Sequence, residues 1–420
     1  MFGWLMNDIL GAPAILVGVF ALLGLLLQKK SIADVVSGTL KTIMGFVILG
    51  AGAGVIVGSL EHFGAMFEQA FNIQGVIPNN EAIVAVAQNV FGTETAMIML
   101  FGMLANIAFA RFTKFKYIFL TGHHTLFMAC LIAAVLSVGG MDGVMLIILG
   151  SLILGAWMVI SPAILQKYVV QITGNDTIAV GHFGSIGYWV AGFTGKLVGD
   201  KSKTTEEINV PKSLGFLRDS SVAVALTMMI MFLFVTIVAG QEFVETNLSG
   251  GENFITFAIL QAITFAAGVF IILAGTRMLI AEIVPAFKGV ADKVVPNAIP
   301  ALDCPAVFPF APNAVIIGFL SSFVAGVISM FLLPIFGLAV IVPGLVPHFF
   351  CGATAGVFGN ATGGRRGAVI GAFVQGIMLS FIPALLLPVL GNLGFVGTTF
   401  GDTDFGIIGI ILGFIMNLFS

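Results

Sequence analysis

The side chains of this sequence that could do polar chemistry are few, and they sit in apolar surroundings. Asp303 lies inside a stretch running from Val295 to Ala314 that contains five prolines. A carboxylate there can accept hydrogen bonds from solute hydroxyls, or it can cap a helix by accepting backbone N–H groups. Glu81 ends a second proline-interrupted stretch, Ile77–Glu81. His123 and His124, in Leu-Thr-Gly-His-His-Thr, read as a polar lining rather than a packed core histidine, and so does His182, in Val-Gly-His-Phe-Gly-Ser. His348, after Pro347, reads as a packing residue. Arg277 and Glu282 read as stabilising a buried face or a domain contact, and Glu94 as either a helix cap or a binding group. No phosphate-binding loop, zinc-ligand spacing or nucleophile elbow occurs, so no metal, cofactor or resident catalytic centre is expected. Cys130, Cys304 and Cys351 read as buried, inert thiols.

The elements that must position these groups are membrane helices. The 420 residues are 59% hydrophobic and only 9% charged, against roughly 25% charged in soluble proteins, so most of the surface must face lipid. Apolar stretches recur from 12–28 to 405–419, and hydropathy with Gly/Pro punctuation predicts about eleven spans, including separate ones at 332–348 and 367–390. The first is read as a span and not a removable signal. Lys and Arg alternate between loops. Lys29–Lys41, Arg111–Lys116, Lys167–Arg218, Lys288–Lys293 and Arg365–Arg366 are basic, whereas Gln241–Asn253 and Gly391–Phe405 carry only acidic charge. The positive-inside rule then places the N-terminus outside and the C-terminus in the cytoplasm. Gln241–Asn253 and Gly391–Phe405, with Asp402 and Asp404, are read as loops on the other side. Basic residues confined to loops give nucleic-acid binding no support. The cytoplasmic stretch 165–219 holds a solvated loop at 201–207, preceded by an apolar, glycine-rich run, Ala179–Trp189, expected to dip back toward a cavity.

The two halves resemble each other at nearly constant offset. Phe46-Val-Ile-Leu49 recurs as Phe270-Ile-Ile-Leu273, Ile77-Pro-Asn79 as Val295-Pro-Asn297, His123 as His348, and Gly139 with Gly143 as Gly363 with Gly367. An odd number of spans between copies inverts them, which predicts a first repeat over 1–215 and a second over 216–420. Inverted repeats belong to transporters, with substrate at the midplane among broken helices. The expected fold is an all-α integral membrane protein with re-entrant segments. A proton- or sodium-coupled symporter, with Asp303, Glu81 or the histidines carrying protons, fits the same features.

Several motifs carry a family resemblance: Thr121-Gly-His123, Gly181-His182, Leu302-Asp-Cys304, Phe310-Ala-Pro-Asn-Ala-Val315, Gly356-Val-Phe358, and Gly363-Gly364 followed by Arg366. In order and identity they resemble the ascorbate-type enzyme IIC permease of the bacterial phosphotransferase system, from about residue 12 to 390. The resemblance implies a homodimer in the bacterial inner membrane whose core domain carries an ascorbate-like solute past a scaffold in an elevator motion. It also implies a separate phosphorylated IIB subunit, supplied by IIA, HPr and enzyme I; no IIA or IIB domain is expected on this chain. Carried over residue by residue, the binding site comprises Asn80, Glu81, His123, His124, Thr125, Phe127, His182, Phe183 and Asp303. Phe127 and Phe183 stand where the best-known members have glutamine, so Thr125 and Glu81 compensate or the solute differs.

Overall fold

The computed structural model describes residues 13–72, 75–208, 220–395 and 397–419. Long apolar helices dominate: α1 (Pro13–Leu27), α2 (Ile32–Phe71), α3 (Asn80–Phe112), α4 (Gly122–Val138), α5 (Gly143–Thr173) and α6 (Ser185–Val198) in the first half. The second half supplies α7 (Ser220–Ala239), α8 (Gln241–Asn247), α9 (Phe254–Ile280), α10 (Ile283–Val294), α11 (Pro312–Leu332), α12 (Ala353–Leu386) and α13 (Thr403–Phe419). Six helical stretches among the described residues are long and apolar enough to cross a membrane, or seven if the sharply bent pair formed by Met228–Ala239 and Gln241–Asn247 is one span. Val17–Leu27, Gly122–Val138 and Thr403–Leu418 are shorter apolar helices. The expected span at 332–348 is instead a 3-10 turn, a short strand and a helical turn. Pro334, Gly337, Pro343, Gly344 and Pro347 break it, because each proline lacks the N–H that an α-helix needs.

Six short strands depart from a purely helical reading. β1 (Gly75–Pro78) lies between β5 (Val340–Ile341) and β6 (Thr398–Thr399), and β4 (Ile299–Leu302) lies between β2 (Tyr117–Phe119) and β3 (Ala179–Val180). Every pairing is parallel. The central strand of each sheet pairs only with strands from the other half of the chain. Parallel neighbours require long crossovers, and here the crossovers are the membrane helices. The proline-rich segment around Asp303 thus becomes a strand followed by a 3-10 helix, Cys304–Phe310, and then α11 with Pro312 at its start. Irregular backbone of this kind is tolerated at membrane depth only where protein surrounds it, and Ala301, Cys304 and Val307 are fully buried.

The helices form two packing sets. One joins α2 to α9, α7 and α1; the other joins α3, α4 and α5 to α6, α11, α12 and α13. In the second set α12 is broken at Gly363 and Gly364, where Gly364 has φ +57° and ψ −147°. The loop after α6 fills that break. Arg365 N donates to Lys203 O at 2.8 Å, and Asp200 N donates to Gly363 O at 2.9 Å. Glu206 Oε1 then accepts the N–H groups of Asn313 and Ala314, both at 3.1 Å, at the start of α11. The segment 201–207, expected to be a solvated loop, is exposed at 201–203 and, with Asp200, forms a strap fastened to two helices. Residues 209–219 of the same basic stretch lie outside the described residues.

Candidate functional site

Because the strands of each sheet run parallel, their C-terminal ends share one edge, and the residues just beyond them meet. Beyond β2 come His123 and His124 on the first turn of α4; beyond β4 comes Asp303; beyond β3 come His182 and Phe183. Beyond β1 come Asn79, Asn80 and Glu81 at the start of α3, and beyond β6 comes Asp402 before α13. The two edges face one cavity of about 150 Å³. Asn80, Glu81, His123, His124, Phe127, His182 and Asp303 all line it, together with Asp402, Arg277, Pro305, Val346 and Phe350.

Capping fixes the backbone at both central strand ends. Asn79 Oδ1 accepts from Ala82 N at 2.7 Å, and Asp303 Oδ1 accepts from Cys304 N at 2.7 Å. Asp303 therefore does cap, as one reading held, yet its other oxygen remains free to act. Its side chain is 39% exposed, and Oδ2 lies 3.5 Å from His123 Nε2. Oδ1 lies 3.9 Å from His182 Nε2. Asn80 Oδ1 accepts from Gly401 N at 2.8 Å and so ties the first sheet edge to the Asp402 turn. Glu81 Oε2 is buried without a hydrogen-bond partner, which leaves an acceptor in the cavity wall unused by the protein.

The two buried histidines of the cavity have fixed tautomers. Phe183 N donates to His124 Nδ1 at 3.3 Å, and Gly184 N donates to His182 Nδ1 at 3.2 Å. A backbone N–H can only donate, so each Nδ1 is an acceptor and each neutral ring carries its proton on Nε2. The Tyr188 hydroxyl lies 2.7 Å from His182 Nδ1 and 3.4 Å from Cys351 Sγ, and its one proton serves one of the two. Both Nε2–H groups point toward the cavity carboxylates.

Two of the expected site residues stay out of the cavity wall. Thr125 is fully buried, and its hydroxyl donates to Thr121 O at 3.1 Å within the helix. Phe183 is fully buried, stacking on Phe119 at 4.6 Å and meeting His124 edge-on at 5.8 Å, so it holds the histidine's position from behind. Of the candidates for replacing a glutamine's hydrogen bonds, only Glu81 reaches the cavity. His348 is the packing residue it was read as, with Nδ1 2.7 Å from the Ser322 hydroxyl.

Two residues assigned elsewhere from the sequence do line it. Arg277 is an exposed residue of α9 and reaches the cavity from the other helix set. Asp402 and Asp404, read as an acidic loop, are both buried. Asp404 accepts the Ser185 hydroxyl at 2.5 Å, Ile186 N at 2.9 Å and Trp157 Nε1 at 3.2 Å. The absence of Lys and Arg around them imitates an aqueous loop.

A family description for the sugar-specific permease component of the phosphotransferase system matches residues 8–404. The chain belongs to this family. The resemblance in the Asp303 and histidine motifs thus holds over nearly the whole chain, and with its apolar helices this permease-family chain is a multi-pass membrane protein. It is similar to the ascorbate-specific phosphotransferase-system EIIC component of Mycoplasma pneumoniae, at 29% identity over 444 residues that cover 90% of this chain. The alignment covers 66% of that relative, so the chain spans just under two thirds of its length.

Proposed function

We propose that this chain is the solute-translocating IIC component of a phosphotransferase system, and that it takes up L-ascorbate or a related small polyhydroxy solute. The observation that carries the reading is the cavity itself, which is small, lies among membrane helices, and is lined by three imidazoles and three carboxylates. Such a wall offers hydrogen-bond donors and acceptors in the density a polyhydroxy solute requires. The name of the Mycoplasma pneumoniae relative gives the solute its first candidate.

An inverted repeat with boundaries near 1–215 and 216–420 is supported by element order. Long helix, strand, helix, strand, helix, break, helix, strand and short helix occur in both halves, with α10 added between the long helix and the first strand of the second, and with Gly139–Gly143 and Gly363–Gly364 at the matching breaks. The strand order matches Asn79 with Asp303 rather than with Asn297, at the same spacing that relates Phe46 to Phe270. On this reading the set around α2 and α9 is the dimerising scaffold. The cavity-bearing set is the mobile core of an elevator in the bacterial inner membrane, with the N-terminus outside. Arg277 reaching the cavity from α9 supports a solute site that borders the scaffold.

Phosphorylation by a separate IIB subunit would trap the solute, because a phosphorylated product is charged and cannot return. The loop at 196–218, of which 209–218 lie outside the described residues, forms the proposed docking side. The deciding experiment loads membrane vesicles with labelled L-ascorbate, with and without phosphorylated IIB, and identifies the internal product. Phosphorylated product that depends on IIB supports group translocation. Unmodified solute whose accumulation collapses with an ionophore would instead establish a proton- or sodium-coupled symporter.

A further inference from the structure

Asp402 Oδ2 lies 3.8 Å from His124 Nε2 and 3.9 Å from His182 Nε2. The ligand atoms of the three residues are mutually within 4.8 Å, and all three side chains are at least nine-tenths buried while lining the cavity. The spacings are too long for direct hydrogen bonds. They are short enough that an atom slightly off the triangle's plane would sit roughly 2.8 Å from all three corners, an ordinary hydrogen-bond distance.

The chemistry of that atom follows from the corners. Backbone donors hold both Nδ1 atoms as acceptors, so the two imidazole corners donate through Nε2–H. In its ionised form the Asp402 carboxylate at the third corner accepts. An atom that receives two hydrogen bonds and gives one is a hydroxyl oxygen. A keto or ether oxygen has no proton for Asp402, and an ammonium has no lone pair for the histidines. A metal ion is disfavoured on the same ground: ligation through Nε2 would move each ring proton to Nδ1 and turn it against the N–H of Phe183 or Gly184.

We propose that His124, His182 and Asp402 form a subsite for one hydroxyl group of the solute, with Asp402 reading the hydroxyl proton. The proposal rests on the substrate reading above and adds Asp402 to it as a specificity-determining residue. It explains why a carboxylate is buried beside two neutral rings without a direct bond to either.

The test is equilibrium binding to the purified full chain of labelled L-ascorbate and of analogues with single hydroxyls replaced by hydrogen or methoxyl. In the wild type, one replacement should weaken binding about 10- to 100-fold, the loss expected for a hydrogen bond to a charged group. In Asp402→Ala, replacement by methoxyl should cost less than about twofold, because the reader of the hydroxyl proton is gone, whereas replacement by hydrogen still forfeits the two histidine donors. Equal discrimination between hydroxyl and methoxyl in both proteins overturns the subsite. Failure of every polyhydroxy solute to bind the wild type rejects the substrate reading and the subsite with it. Nitrogen-15 spectra of the wild-type histidines test the donor array even if the variant misfolds. Nε2–H rings at His124 and His182 support it, and an Nδ1–H ring at either overturns it. Stoichiometric zinc binding lost in Asp402→Ala would also overturn it, by making the cluster a metal site.

Discussion

Asp404, at the start of the last helix, receives the hydroxyl of Ser185 at 2.5 Å from the start of α6, far away in sequence. The same carboxylate takes the N–H of Ile186 and the indole N–H of Trp157, and Asp404 N donates to Phe183 O at 2.9 Å. One buried residue therefore caps α6 and pins the turn that carries His182 and Phe183. Thr403 Oγ1 adds a further tie between α13 and α6 by accepting Gly187 N at 3.3 Å.

Asp404→Ala leaves one buried and two part-buried donors without this acceptor. Its expected cost is roughly 2–4 kcal/mol, the sum of a lost cap and unsatisfied buried groups. Asp404→Asn keeps an acceptor oxygen and should lose less. Thermal unfolding in detergent checks the order, and the fluorescence of Trp157 should report the change in its environment.

The strap carries a contrasting pair of acids. Glu206 caps α11 through two backbone N–H groups, so Glu206→Ala should cost about 0.5–2 kcal/mol. Glu207 meets Arg365 at 2.8 Å, but the two side chains are 53% and 42% exposed. Solvent screening leaves such a pair about 0–1 kcal/mol, so Glu207→Gln should be close to neutral. Limited proteolysis of the 200–219 stretch should quicken in Glu206→Ala and stay unchanged in Glu207→Gln.

Gly364 has a backbone conformation open to glycine alone, and an added Cβ would collide with the carbonyl oxygens of Asp200 and Lys203. Gly364→Ala should therefore destabilise by at least about 1–3 kcal/mol and detach the strap. The unfolding midpoint of this variant, together with the same proteolysis assay, measures both effects.

The sequence revealed the site unevenly, for physical reasons. His123, His124, His182, Glu81 and Asp303 are legible because polar groups inside proline- and glycine-broken apolar segments have few structural uses in a membrane, whereas Asn80 enters only through the family resemblance. Asp402 was hidden because a short acidic stretch without basic residues has the same composition as an outer loop. Only its pairing beside β1 shows that it turns inward. Arg277 looked like any charge on a helix flank, and its reach into the cavity depends on how α9 packs. Thr125 and Phe183 enter the candidate set only through the family resemblance, and their side chains turn to a helix carbonyl and into an aromatic cluster, away from the cavity. The six strands escaped notice because runs of two to four residues leave no period to read.

The most direct measurement is equilibrium binding of labelled L-ascorbate to the purified protein and to Asp303→Asn and His182→Ala, with unfolding midpoints recorded for all three. The account predicts saturable binding by the wild type and a loss of at least about tenfold in each variant, with folding preserved. Wild-type affinity in both variants would contradict the placement of the solute in this cavity.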